Sequence, residues 1–154
     1  MNEAKGPEHV VALRPVEPRD LGVFFEHQLD VEAAQMAEFA SRDGRAFIAH
    51  WGRIAADPEA FVRTITCDGE VVGNVVRWVA DGVPCVGYWI GREHWGKGIA
   101  SRALAEFVDL LHDAVVWARV SPRNRGSIKV LERCGFRMID DGPEEFVYEL
   151  RRRR

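Results

Sequence analysis

The chain has 154 residues, 47% of them hydrophobic and 29% charged, with a formal net charge of −3. That length fills one buried core and is short for two ordinary domains, and the composition excludes a disordered or fibrous chain. The mildly acidic balance excludes the global basic field that draws a protein to nucleic acid.

The N-terminal stretch Met1 to His9 is polar and lacks the apolar run of a signal peptide. His9 to Leu13 reads as a short strand. Arg14-Pro15 closes it, and Glu17-Pro18-Arg19-Asp20 resembles a helix start, with an early proline and acidic residues. Phe24, Phe25, Gln28 and Leu29 follow on that helix, and a second helix is expected over Ala46 to Ala56, with Phe47, Ile48, Trp51 and Ile54 apolar. The segment from Asp30 to Gly44 between them carries no clear period. From Phe61 the pattern turns to β-branched and aromatic residues, interrupted by Asp68-Gly69 and Asp81-Gly82, the dipeptides of two-residue hairpin turns. Three antiparallel strands are therefore expected over Phe61 to Cys67, Glu70 to Val79 and Val83 to Ile90.

Beyond Gly98, apolar residues at Ile99, Ala103, Phe107 and Leu110, flanked by Ala100, Leu104, Val108 and Leu111, form a broad helical stripe. Val115 to Val120 reads as a strand, Asn124 to Cys134 as a helix ended by Gly135, and Arg137 to Asp140 and Glu145 to Leu150 as strands around Asp141-Gly142-Pro143. A strand-helix-strand unit after a meander implies a mixed α/β sheet with helices on both faces. One domain is expected over 1–154, with a loose N-terminus at 1–8 and a solvated basic tail at 151–154. Cys67, Cys85 and Cys134 show neither CxxC nor Cys/His spacing, so reduced thiols and no metal are expected. No stretch reaches the roughly 18 consecutive apolar residues of a membrane span, and a cytoplasmic location without membrane partners is expected.

The stretch from Gly87 to Ala100 carries the chemistry. It runs from a strand into a helix through Trp95-Gly96-Lys97-Gly98-Ile99-Ala100. Gly96 and Gly98 have no side chain to block a ligand, and small Ala100 lets an anion approach the first helical turn, where unpaired N–H groups and the positive dipole end converge. Lys97 adds a positive charge at the rim and Ser101 a hydroxyl donor. Diphosphate is the natural guest, although the same glycines also suit a tight connection. Neither GxGxxG nor GxxxxGK[ST] is present, which disfavours dinucleotide and triphosphate sites.

Read with a second block, Asn124-Arg125-Gly126-Ser127-Ile128-Lys129-Val130-Leu131-Glu132-Arg133-Cys134-Gly135-Phe136, this turn resembles the acetyl-CoA motif of the Gcn5-related N-acetyltransferase (GNAT) family. Trp95 stands where the general pattern has Gln or Arg, and with the preceding "GYWI" strand it is similar to the branch of ribosomal-protein N-terminal acetyltransferases. The resemblance covers nearly the whole chain. It implies the acyl-CoA N-acyltransferase fold, a mostly antiparallel sheet with helices on both faces and a splayed strand pair that admits pantetheine.

The resemblance also implies roles for single residues. The backbone of Trp89, Ile90 and Gly91 would face pantetheine amides, and Gly96 to Ser101, including Ile99 and Ala100, would hold the pyrophosphate. Asn124 would contact the pantetheine region while capping its helix, and Ser127 would bond a cofactor oxygen or assist thiolate departure. Many relatives place a Tyr acid where this chain has Leu131, and a Glu where it has Cys85. His27 is the leading base candidate, ahead of Glu26, Asp30, Glu93 and His94. Phe24, Phe25, Phe39, Trp51, Trp78, Tyr88 and Trp89 are candidate linings of an acceptor cavity.

The implied activity is acetyl transfer from acetyl-CoA to a primary amine of a small molecule or a protein N-terminus, in a chain that forms a homodimer as many relatives do. The missing Tyr and Glu motivate a rival of another class, a CoA-binding sensor or accessory module. A purely structural α/β domain would bind no CoA.

Overall fold

A buried carboxylate joins the first two elements, β1 (Val11–Arg14) and α1 (Asp20–Leu29). Asp20 is 1% exposed. Its oxygens accept two bonds from the Arg14 guanidinium at 2.7 and 2.8 Å, one from Glu17 N–H at 2.8 Å and one from the Thr64 hydroxyl at 2.7 Å. A buried charge persists only when it is paired and hydrogen-bonded, and here every partner comes from a different turn of chain.

The computed structural model describes residues 9–37 and 40–152. After α1 come α2 (Val31–Met36) and α3 (Gly44–Ala56). Helix α2 falls in the segment without a readable period. It is too short to show one, and Asp30, whose side chain accepts from Ala33 N–H at 2.9 Å, starts it. The meander follows as β2 (Phe61–Cys67), β3 (Glu70–Ala80) and β4 (Val83–Ile90). Asp68, Gly69, Asp81 and Gly82 all take positive φ, the backbone that lets a two-residue turn match strand twist. The rest is α4 (Ile99–Leu110), β5 (Val115–Val120), α5 (Arg125–Arg133), β6 (Arg137–Asp141) and β7 (Phe146–Arg151).

The seven strands form one sheet in the order β1-β2-β3-β4-β5-β7-β6, antiparallel except between β4 and β5. Alternation along β2 sends Ile65 to one face and Val62 and Thr64 to the other. On the first face α4 and α5 close the main core, in which Ile65, Val75, Val86, Leu104, Phe107 and Leu131 are buried. On the second, Phe24, Phe47 and Trp51 from α1 and α3 form a smaller core, with Val62 packed against it. The expected mixed sheet with helices on both faces is what the chain adopts.

The basic run at the C-terminus divides. Arg151 pairs with Val115 as the last residue of β7, and Arg152 N–H donates to Ala114 O at 2.8 Å. The Arg152 guanidinium reaches the Val108 carbonyl. These two residues belong to the sheet rather than to a solvated tail, because the ladder continues past Leu150. Arg153, Arg154, residues 1–8 and Phe39 lie outside the described residues.

The Arg14 hydrogen bonds hold the Asp20 carboxyl down to about 2, from an ordinary value of 3.8. A depressed carboxyl stabilises the fold fully above the unfolded value and loses that contribution as pH falls. Stability should therefore drop by about 2 kcal/mol between roughly pH 4 and pH 2 in wild type. In Asp20→Asn that acid-dependent loss should be absent, and stability at pH 7 should be lower by about 3 kcal/mol because the two-bond ion pair with Arg14 is broken. Urea unfolding at each pH measures both.

Candidate functional site

The parallel neighbours β4 and β5 share a single paired position, Cys85 with Trp117. Beyond it the strands part. A cavity of about 450 Å³ opens between β4, the start of α4 and the exposed face of α5, roofed by Ala33, Met36 and Ala37 from α2 and its end. A smaller cavity of about 140 Å³ continues into the parting, between Val86 to Tyr88 on one wall and Ala118 to Ser121 on the other.

The wide end is built for an anion. Gly96 and Gly98 both have φ of 77°, and a Cβ on either would meet no protein atom within 4 Å. Packing therefore does not demand glycine here; the backbone conformation does, and both residues line the cavity. Gly98 caps α4 without a side chain, so the first N–H groups of that helix are left to an outside acceptor. The Ser101 hydroxyl lines the same cavity, buried and without a hydrogen-bond partner. A helix N-terminus with an orphaned hydroxyl fits a phosphate group. Lys129 and Arg133, one turn apart on α5, bring two cations to the lining. Sequence reading missed them, although their i,i+4 spacing on the motif helix carried the signal.

The expected residues mostly converge. Trp89, Ile90, Trp95, Gly96, Gly98, Ile99, Ala100, Ser101, Asn124 and Ser127 line the cavity, whereas Gly91 and Lys97 do not. Lys97 is exposed on the turn. The backbone expectation for Trp89 to Gly91 needs correction. Gly91 N–H donates to Val72 O at 2.9 Å, so ladder alternation turns the Trp89 and Gly91 peptide groups toward β3 and those of Tyr88 and Ile90 toward the parting. Even there the Ile90 carbonyl accepts from the Trp95 indole at 2.8 Å. Asn124 does what both readings ask: its side chain accepts from Ser127 N–H at 3.2 Å, capping α5, while the residue lines both cavities.

The structure does not bring His27 to the cavity. Its ring is buried behind the end of β4, where a Cβ on Gly91 would stand 2.6 Å from Nε2, and burial holds its pKa below the ordinary value. Asp30 is engaged as the α2 cap and pairs with Arg92 at 3.0 Å. Glu26 and Glu93 are exposed. His94 lines the cavity, with Nε2 3.3 Å from Glu93 and 3.5 Å from Glu70.

Of the candidate aromatics, Tyr88 and Trp89 line the cavity, while Phe24, Phe25 and Trp51 belong to the second core. The Tyr88 hydroxyl lies 2.8 Å from the Ser127 hydroxyl, and burial pushes its pKa up to about 12. The three cysteines are free thiols. Folding does gather His9, Cys67 and Asp68, which sequence spacing keeps apart, with donor atoms within 4.8 Å. The Asp68 oxygens accept from Val10 N–H at 2.8 Å and meet His9 Nδ1 at 2.9 Å, so the cluster is explained by turn hydrogen bonds.

A sheet that parts over the N-terminus of a helix, with hydroxyls deeper in the parting, suits an elongated ligand that carries an anionic end. The acetyltransferase (GNAT) domain model matches residues 11–137, and the chain belongs to that family. It is 30% identical over 91 residues to the probable N-acetyltransferase YjcK of Bacillus subtilis (strain 168), a match covering 56% of this chain and 47% of that protein. The chain spans less than half the length of the curated relatives it matches.

Among solved structures, aminoglycoside acetyltransferase AAC(6')-Ib in complex with coenzyme A and kanamycin superposes with a TM-score of 0.79 at 17% identity, over 93% of this chain and 95% of that one. RimJ of Mycobacterium smegmatis in complex with CoA-disulfide gives 0.72 at 23% identity, over 92% and 81%. Both likenesses are of fold. Among the described residues no helix is long and apolar enough to cross a membrane.

Gly98→Ala should lose about 1 kcal/mol of stability from the left-handed backbone and bind inorganic pyrophosphate about tenfold more weakly, since Gly98 lines the cavity at the start of α4. Gly69→Ala, with φ of 84° in the β2–β3 turn and equally open surroundings, should lose similar stability with unchanged affinity. Chemical unfolding and calorimetry with inorganic pyrophosphate separate the two effects.

Proposed function

We propose that the chain transfers an acetyl group from acetyl-CoA to a primary amine of a small molecule or a protein N-terminus, by direct attack within a ternary complex. The observation that carries this reading is the open N-terminus of α4, with its unpartnered Ser101 hydroxyl, at the mouth of the parting between β4 and β5. The α4 amides, Lys129 and Arg133 supply attraction for a pyrophosphate. The parting supplies a slot for an extended pantetheine, with the Tyr88 and Ile90 peptide groups turned into it. AAC(6')-Ib, which has the same fold, has been seen with acetyl-CoA and with aminoglycosides, which supports a small-molecule amine as acceptor.

In this reaction the amine nitrogen attacks the thioester carbonyl, a C–N bond replaces the C–S bond, CoA leaves with the electron pair on sulfur, and the nitrogen gives its surplus proton to solvent. Two things are asked of the protein. It must hold donor and acceptor together, which removes the entropy of a bimolecular encounter, and it must stabilise charge where it develops. His27 takes no contact with substrate in this reading. Its neutral ring supports the bend after β4, and the amine reaches the cleft deprotonated by solvent.

Free thiol released from acetyl-CoA should rise above the amine-free rate for at least one member of a panel of small amines and peptides with free N-termini. If calorimetry shows acetyl-CoA bound and no amine produces thiol, the enzyme reading gives way to a CoA-binding sensor.

A further inference from the structure

We propose that Tyr88 completes the leaving-group end of the cleft: its hydroxyl, acting through Ser127, provides the hydrogen bonding to the departing thiolate that Leu131 cannot provide. The inference rests on the acetyl-CoA reading above. It makes Ser127 the catalytic residue at sulfur and Tyr88 the positioning residue behind it.

Place is the first argument. Tyr88, Asn124, Ser127 and Ala37 are the residues shared by both cavities, so they form the neck between the anion-binding end and the parting. A donor anchored by its phosphates at α4 and extended into the parting passes this neck with its thioester. Leu131 lies one helical turn beyond Ser127 on the same face of α5 and lines the smaller cavity together with Tyr88. The phenol that the helix lacks at Leu131 therefore enters the same space from the opposite wall, on β4.

Hydrogen-bond direction is the second. Two hydroxyls at 2.8 Å hold two protons and share one between them, which leaves one O–H to donate elsewhere. The phenol is the more acidic partner, so it donates to Ser127 Oγ and leaves the Ser127 O–H to point at sulfur. Polarised in this way, the serine is a stronger donor than an isolated one.

Magnitude separates donation from full proton transfer. With Tyr88 near 12 and a free thiol near 8.5, transfer from phenol to thiolate is unfavourable by about three powers of ten. The pair therefore keeps both protons. The C–S bond breaks, the thiolate leaves with the electron pair while it accepts the Ser127 hydrogen bond, and it takes a proton from solvent after release.

The test uses the ionisation of bound CoA. The full-length protein saturated with CoA is titrated by ultraviolet thiolate absorbance, with the desulfo-CoA complex as blank to cancel Cys67, Cys85 and Cys134. The bound thiol should ionise about one pH unit lower in wild type than in Tyr88→Phe, a tenfold shift in its equilibrium, and Ser127→Ala should match Tyr88→Phe. Both variants should lose about tenfold in kcat with KM for acetyl-CoA within about twofold, and the double variant should lose no more than either single one, as expected of groups that act as a unit.

A pair that merely ties α5 to β4 would move Tm without moving the thiol titration. Identical titrations in wild type and both variants would overturn the proposal while leaving the acetyl-CoA reading intact. Failure of wild type to bind CoA at all would overturn that reading and the proposal with it. Should Tyr88→Phe fold poorly, Ser127→Ala, which removes no packed ring, carries the same comparison.

Discussion

The structure turns on two parallel strands that lie side by side in the middle of a sheet and pair at one position, Cys85 with Trp117. Strand interiors normally satisfy their peptide groups by laddering, so a parting in the sheet centre has to be held open by something else. Three contacts do this. The Trp95 indole takes the Ile90 carbonyl, the Asn124 side chain starts α5 beside the end of β5, and the Tyr88–Ser127 bond spans the gap from β4 to α5. Beneath them, Leu104 and Phe107 of α4 pack into the main core with Val86 and Ile90. The cleft is rigid because its floor is core.

The cleft is electrically lopsided. Its wide end collects a helix N-terminus and two cations, while its narrow end has hydroxyls, aliphatic walls and one arginine, Arg119, which pairs with Glu145 at 3.4 Å. The formal charge of −3 for the whole chain says nothing of this field, which the local arrangement of α4 and α5 creates. Helix α2 covers the wide end, and Arg92 bonds Asp30 at 3.0 Å and Glu32 at 2.6 Å beside it. Exposed ion pairs of this kind contribute about 0–1 kcal/mol, so the burial of Ala33 and Ala34 holds the roof more firmly than the salt bridges do.

The fold is kept in solved structures at 17–23% identity. Leu131 and Cys85 occupy positions where the resemblance implies proton-handling side chains. Cys85 is 1% exposed in a row with Trp78 and Trp117, so a charge there would lack solvent and partners. Leu131 is part of the main core. Each departure adds apolar burial, and Leu131 lines the smaller cavity together with the Tyr88–Ser127 hydroxyl pair.

Much of this was legible in the residues. Asp-Gly pairs marked the hairpins, the apolar stripe after Gly98 marked α4, and Trp95 to Ala100 with Asn124 to Phe136 marked the wide end of the cleft, because turn chemistry and helix periodicity are local properties of a chain. Helix α2 was not legible, since six residues carry too little period, and neither was the burial of His27, which depends on where Gly91 falls when β4 ends. The partnership of Tyr88 with Ser127 joins residues 39 apart in sequence, and the peptide groups that face the cleft depend on the β3–β4 register. Local preference determined the elements and the glycine turn before α4; only tertiary packing, which sets distances between remote side chains, decided which groups meet at the narrow end.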